Sequence, residues 1–354
     1  MGEYHHIYAG VDYRNFPLST TISTLGSAST MLNKSCLKQF HQLVNITKPN
    51  LNYLDSGGFS ISKYEADDNI KASKILERLT TDTIMHTANI INATTVFALD
   101  IPLLGYKDPQ KQNREFAFKS QLNLRLARDA LVKHRQICPT KELFLPLQFY
   151  NLDQLLFFID CLKLPPNSVG AAFPVRDMTI PDVVKAMYSL KSYGFKKIHL
   201  LGTSSAPFIM ISSYMARHYF ERVTTDSTTW MIAAQYLKYW EPGSMKAKLL
   251  NGKKLITLER HCNCTACRYF NFNEYWKIPK TELVYALGYH NSAVLNQVCK
   301  DILKHSGSIT LLSKYVQDSG FHKTVKKRMI QALDALSFFR GAWMLCGPEM
   351  GPFL

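Results

Sequence analysis

No run of about 18 uninterrupted apolar residues occurs in the 354-residue chain, so no membrane-spanning helix is expected from it. The opening MGEYHHIYAG lacks a basic segment leading into an apolar one, which argues against an export leader. Myristoylation needs Ser or Thr at position six, and His6 stands there instead. A soluble protein of the cytoplasm, in a bacterial cell or a phage-infected host, is the expectation. In that compartment the glycosylation-like triplets at Asn33, Asn45 and Asn92 carry no meaning. Acidic residues are scarce, with 27 Asp and Glu against 42 Lys and Arg, a net charge of +15. A field of that sign suits a polyanion better than a small neutral metabolite, and nucleic acid is the leading candidate. A solvated basic surface that only aids solubility is the other reading of the same charge. No G-x-G-x-x-G follows the first β-rich run, so the usual dinucleotide fingerprint is missing.

What is present is alternation. Short β-rich runs at 52–59, 94–102, 143–150, 168–175, 197–202 and 222–225 are separated by amphipathic stretches at 111–135, 152–162, 180–193 and 206–217. A parallel sheet with crossover helices follows. With further strands at 7–11 and 254–258 the count approaches the eight of a TIM (β/α)8 barrel, and a doubly wound open sheet is the competitor. Polar or catalytic-type residues stand where strands end: Asp55 in LDSGGF, Asp100 in FALDIP, Gln148 in PLQFY, Gly202 in HLLGTSS and Asp226 in VTTDSTTW. Barrel enzymes gather their chemistry at that end. Any one of these is a turn or cap residue on its own; five together point to a site. The expected organisation is a barrel over 1–258, a metal subdomain over 259–295 and a C-terminal helical segment over 296–354 that packs on the barrel, with helices expected at 291–305, 309–317 and 323–339.

The eight cysteines are unevenly spread. Cys36, Cys138, Cys161, Cys299 and Cys346 lie singly in apolar surroundings, as in a reducing compartment, whereas Cys262, Cys264 and Cys267 share one short loop. Three thiolates there and His290 complete a tetrahedron suited to Zn2+. His261 is a competing fourth ligand, but it adjoins Cys262 and strains the geometry. A Cys3His sphere is closed and leaves no place for an activated water, so the zinc is expected to be structural.

LDSGGF, the Asp of FALDIP, the Gln of PLQFY, Asp226 and the Cys-x-Cys-x-x-Cys followed by His290-Asn291 together resemble the tRNA-guanine transglycosylase superfamily. The resemblance runs in order along most of the chain, with DSGGF and the metal signature its most specific parts. It implies a TIM barrel with a zinc subdomain, and an enzyme that exchanges guanine in a polynucleotide for a 7-deazaguanine with no organic cofactor. By the same resemblance Asp226 matches a nucleophile that stores the polymer as a glycosyl ester, and Asp55 a general acid/base. Asp100 and Gln148 match residues that hydrogen-bond the base edge, beside Gly170 and Ala171, with Gly57, Gly58, Phe59 and Gly202 around the substrate.

The chain departs from the family pattern at Ser60, where Gln is usual, and at Ala171, where a second glycine is usual. After Asp226 it reads Ser227-Thr228-Thr229-Trp230, without the arginine-bearing segment that grips an anticodon loop, and no tail resembling an added RNA-binding domain follows. These features resemble the DNA-guanine transglycosylase branch of bacterial modification islands and phages. The resemblance then implies DNA as partner and 7-cyano-7-deazaguanine or a close relative as incoming base; flipping guanine out of a duplex costs about a few kcal/mol, to be supplied by the cationic surface or by helper proteins. The alternatives are a tRNA-guanine exchanger with diverged anticodon recognition and a non-catalytic nucleic-acid-binding partner subunit; retention of Asp55 and Asp226 speaks against the latter. Lys253, Lys254, Lys323, Lys326, Lys327 and Arg328 are candidate phosphate contacts or solvated faces. Phe59, Tyr64 and Phe173 are candidates to stack on a base or are plain core.

Overall fold

The computed structural model describes residues 2–9, 23–47, 50–58, 77–164, 167–251 and 262–346. Eight parallel strands, β1 (Glu3–Ala9), β2 (Ser23–Ser27), β3 (Asn52–Asp55), β4 (Thr95–Phe97), β5 (Glu142–Pro146), β6 (Gly170–Pro174), β7 (Lys197–Leu201) and β8 (Arg222–Ser227), close into a barrel. Closure is made by β8 on β1, where Ile7 stands opposite Asp226. The chain is therefore a TIM barrel, and the open-sheet alternative is ruled out by that last pairing.

The strand expected at 254–258 lies outside the described residues, and the barrel takes Ser23–Ser27 in its place. STLGS is hard to recognise as a strand because Leu25 is its single large apolar residue. Its glycine answers a packing need: a Cβ at Gly26 would come within 2.2 Å of the Met31 side chain and 2.8 Å of Phe40. β8 runs two residues past its expected end at 225, to Ser227, whereas β3 finishes early at Asp55 and β4 at Phe97; after β4 the buried apolar residues Ala98, Leu99 and Ile101 continue into the loop at the mouth.

The helices in order are α1 (Ala28–Met31), α2 (Lys34–Thr47), α3 (Thr81–Ile90), α4 (Pro109–Ile137), α5 (Leu152–Leu162), α6 (Ile180–Ser192) and α7 (Ala206–His218). Local chemistry sets their starts. The Asp108 side chain accepts from the Gln110 N–H, Asn151 from Gln154 and Thr179 from Asp182, each satisfying a donor the helix leaves open. Strand alternation divides the core in two. Tyr53, Phe97, Phe144, Ile7 and Ala172 fill the barrel interior, with Phe97 and Phe144 ring centroids 5.5 Å apart. The opposite faces pack against the helices in one larger cluster. Each fully buried Phe or Ile stabilises the fold by roughly 1.5–3 kcal/mol.

Beyond the barrel come α8 (Thr229–Gln235), the hairpin β9 (Lys238–Trp240) and β10 (Ala247–Leu249), and α9 (Thr265–Tyr269). Three longer helices follow: α10 (Lys280–His305), α11 (Ile309–Asp318) and α12 (Lys323–Cys346). The helix expected from residue 291 begins eleven residues earlier, directly after Pro279, and crosses residue 295 without a break. Its buried positions Leu283, Ala286, Leu287 and His290 keep the same helical spacing as those that follow. α10 packs on α7 and α8, and α12 on α6 and α7. Among the described residues no helix is long and apolar enough to cross a membrane.

Candidate active site and metal centre

A cavity of about 1020 Å³ opens at the C-terminal ends of the strands. Asp55, Ser56, Asp100, Gln148, Gly202 and Asp226 all line it. Five strands thus deliver their terminal polar residues to one place, as expected from their positions in the sequence.

The turn after β3 explains its two glycines. Gly57 has φ +82°, and its N–H donates to Asp55 Oδ2 at 3.0 Å. A Cβ at Gly58 would lie 2.4 Å from the Asp100 carbonyl oxygen, so only glycine lets the two loops approach. Asp100 is held from two sides. Ser56 Oγ donates to Oδ1 at 2.8 Å and Gln148 Nε2 to Oδ2 at 2.8 Å. Asp226 is gripped through one oxygen. His199 Nε2 and the Gly202 N–H lie 2.9 and 2.8 Å from Oδ1, and Gly202 reaches this position with φ +74°.

Burial raises two of the carboxyls. Burial, then the negative charge of Asp100, pushes Asp55 up to about 7, against the two N–H bonds it accepts; Asp226 adds to the rise. Asp100 is raised to about 6, also by burial, with the bonds from Ser56 and Gln148 working the other way. Asp55 is therefore a carboxyl that can carry and release a proton near neutral pH.

Gly170 and Ala171 lie elsewhere. They begin β6, and the cavity meets that strand only at Pro174 and the loop beyond, roughly 13 Å further along at about 3.3 Å per residue. Gly170 is small because a Cβ there would lie 2.6 Å from the Phe144 ring inside the barrel. Phe173 is fully buried, its ring 5.7 Å from that of Phe149, and is core. Phe59, Ser60, Tyr64, Lys253, Lys254 and His261 lie outside the described residues. On α12, Arg328 reaches the cavity and stands over the Phe208 ring, while Lys326 Nζ donates to the Gln317 carbonyl. In the segment after Asp226, Ser227 Oγ accepts from the Thr229 N–H at 2.8 Å and Trp230 is buried with its indole N–H on the Ser227 carbonyl.

His199, the first residue of the HLLGTSS stretch, is the side chain that sequence reasoning missed. The signal in IHLLG is a lone polar side chain at an inward strand position, and it proves to be fully buried.

The ligand atoms of Cys262, Cys264, Cys267 and His290 lie within 4.8 Å of one another and can hold a metal ion. Cys267 Sγ is 3.2 Å and Cys264 Sγ 3.6 Å from His290 Nδ1. Tetrahedral coordination with bonds of about 2.0–2.3 Å calls for ligand separations of roughly 3.5–3.8 Å, so the donors fit. His290 is not at the end of its segment but inside α10, fully buried and stacked 3.9 Å from the Tyr239 ring. Its Nε2–H donates to the Trp240 carbonyl at 2.7 Å, which fixes the tautomer and turns Nδ1 toward the sulfurs. Asn291 accepts from the Trp240 N–H and donates to the carbonyls of Trp230 and Lys238, tying the cluster to the chain that leaves β8.

A scan against protein-family models and a search of curated proteins return no match for the chain.

Proposed function

We propose that the protein is a DNA-guanine transglycosylase that replaces guanine in DNA with a 7-deazaguanine such as 7-cyano-7-deazaguanine, through a covalent ester on Asp226. The observation that carries the reading is the meeting of Asp55, Asp100 and Asp226 in one cavity, with Asp55 raised by burial and Asp226 held through Oδ1 by His199 and the Gly202 N–H. Two carboxylates with distinct roles are what retaining exchange at a glycosidic carbon requires. In this scheme Asp226 Oδ2 bonds to C1′ while the C1′–N9 bond breaks, and its electron pair leaves with guanine. Asp55, raised to about 7, gives the departing base a proton. The incoming base returns a proton to Asp55 as its nitrogen attacks C1′ and the ester oxygen leaves. No oxidant or energy source enters.

Asp100 and Gln148 are suited to reading the base edge, since each Asp100 oxygen keeps a second lone pair after accepting from Ser56 or Gln148. A nucleotide must leave the stack to reach such a cavity, at a cost of about a few kcal/mol. The net charge of +15 and Arg328 at the cavity favour an anionic polymer. Cys262, Cys264, Cys267 and His290 would hold Zn2+ as a closed, structural site, bracing α10 against the barrel. The choice of DNA over tRNA rests on the Ser227-Thr228-Thr229-Trp230 segment, which carries no cation.

Radiolabelled guanine supplied with DNA or with tRNA, each with and without candidate helper proteins, tests the proposal. Label is expected in DNA. Label in tRNA alone would transfer the activity to RNA, and label in neither would overturn base exchange.

A further inference from the structure

His199 lies behind Asp226, which lines the mouth. It lies inside the barrel with no exposed surface, wedged between Phe97 and Tyr53 with ring centroids 5.0 and 5.8 Å away. Its two nitrogens are both engaged along the barrel axis. Nδ1 is 2.7 Å from Thr224 Oγ1 and Nε2 is 2.9 Å from Asp226 Oδ1. A carboxylate oxygen accepts, so Nε2 carries the proton that faces it. The Gly202 N–H adds a second donor to the same oxygen. Among the described residues, all hydrogen bonds made by the Asp226 side chain fall on Oδ1.

We infer that His199 is a positioning residue that, with the Gly202 N–H, holds Asp226 by Oδ1 so that Oδ2 alone is presented to the substrate. The inference rests on the proposed role of Asp226 as nucleophile. The arrangement serves both halves of the exchange. Before attack, two donors fix the carboxylate plane, and Thr224 fixes the imidazole. Once Oδ2 is bonded to C1′, Oδ1 becomes the ester carbonyl oxygen. When the incoming base attacks C1′ and the C1′–Oδ2 bond breaks, negative charge returns to the carboxylate. Donors already aimed at Oδ1 stabilise that developing charge without reorganising. A donor supplied by the backbone at Gly202 cannot be lost by substitution, whereas the one from His199 can.

Two variants and a spectroscopic measurement test this. His199→Phe keeps a ring between Phe97 and Tyr53 but removes the donor; kcat for exchange is expected to fall about 10²–10³-fold, the usual loss for one such donor, with little change in KM. His199→Gln offers an amide N–H and is expected to recover at least tenfold of that loss. A His199→Phe enzyme with wild-type kcat, or a Gln variant no better than Phe, would overturn the inference. Independently of turnover, 15N-labelled histidine NMR of the whole protein should show His199 with Nε2 protonated and its proton shifted downfield. That shift should vanish in Asp226→Ala. An unprotonated Nε2, or a resonance indifferent to Asp226, overturns the contact. If the wild-type protein exchanges no base on any polynucleotide, the proposed function fails; His199 is then decided by the resonance alone, whose presence upholds the hydrogen bond and whose absence removes it.

Discussion

The two ends of the barrel treat their carboxylates in opposite ways. At the N-terminal end Glu142 is matched by cations: Lys197 Nζ lies 2.5 Å from Oε1 and the Arg222 guanidinium bonds Oε2. At the C-terminal end Asp100 is buried, Asp55 stands half-buried beside it, and the charges that act on Asp55 are both negative. The first arrangement spends its charges on holding β5, β7 and β8 together. The second leaves two acids destabilised and reactive, because a paired carboxylate is a poor proton carrier. On the proposed function, chemistry and stability would be separated along one axis of a single fold, as barrel enzymes in general separate them.

Removing the proposed zinc from the Cys262, Cys264, Cys267 and His290 cluster tests the comparison most severely. Structural zinc in Cys/His sites contributes an apparent 10–16 kcal/mol or so. Chelation, or Cys264→Ala, is expected to expose the amides of 262–305 to hydrogen exchange, while β5, β7 and β8 stay protected at their Glu142 end. Uniform loss of protection would show that the two ends are one cooperative unit. Next in size is Asp226→Asn, which should lower exchange by about 10⁴-fold or more and leave the melting temperature within a few degrees. Turnover measured beside calorimetry checks both halves.

Asp55→Asn should reduce the rate about 10²–10⁴-fold and change the pH dependence of stability. A carboxyl raised from 3.8 to about 7 binds more protons folded than unfolded, so wild-type stability falls as pH rises through that window. The variant should lose that part of the slope, gaining on the order of 2 kcal/mol at pH 8 once the partial exposure of Asp55 to the cavity is discounted. Denaturant titrations from pH 4 to 8 read the difference; identical slopes would place Asp55 in an ordinary carboxylate environment. Smallest is Glu142→Gln. With Arg222 and Lys197 left facing a neutral amide, stability should drop by about 1–3 kcal/mol with kcat within about twofold. A large rate loss there would erase the distinction between the two ends.

Much of this was legible beforehand. Helices covering 152–162 and 180–193 are readable because their apolar residues recur at helical spacing, and they begin and end within a residue of expectation. Asp55, Asp100, Gln148 and Asp226 are readable because each interrupts or closes an apolar run at a strand end, and the cysteine cluster because its ligands are nearly adjacent in sequence. β2 was not readable, since STLGS has too little apolar surface to declare itself, and its burial comes from Met31 and Phe40. Gly170 and Ala171 follow a motif rather than a measured depth, and only the barrel shows that they start their strand far from the mouth.

Sequence alone determined which residues end the strands, which four can ligate a metal, and that the chain is strongly basic, because those properties are local or additive. Tertiary structure decided which carboxyls are raised, which oxygen of Asp226 is held, and that the His199 side chain holds it together with the Gly202 N–H. Those depend on burial and on distances between segments far apart in the chain, such as the 2.9 Å between His199 and Asp226 across adjacent strands, and no local pattern encodes them.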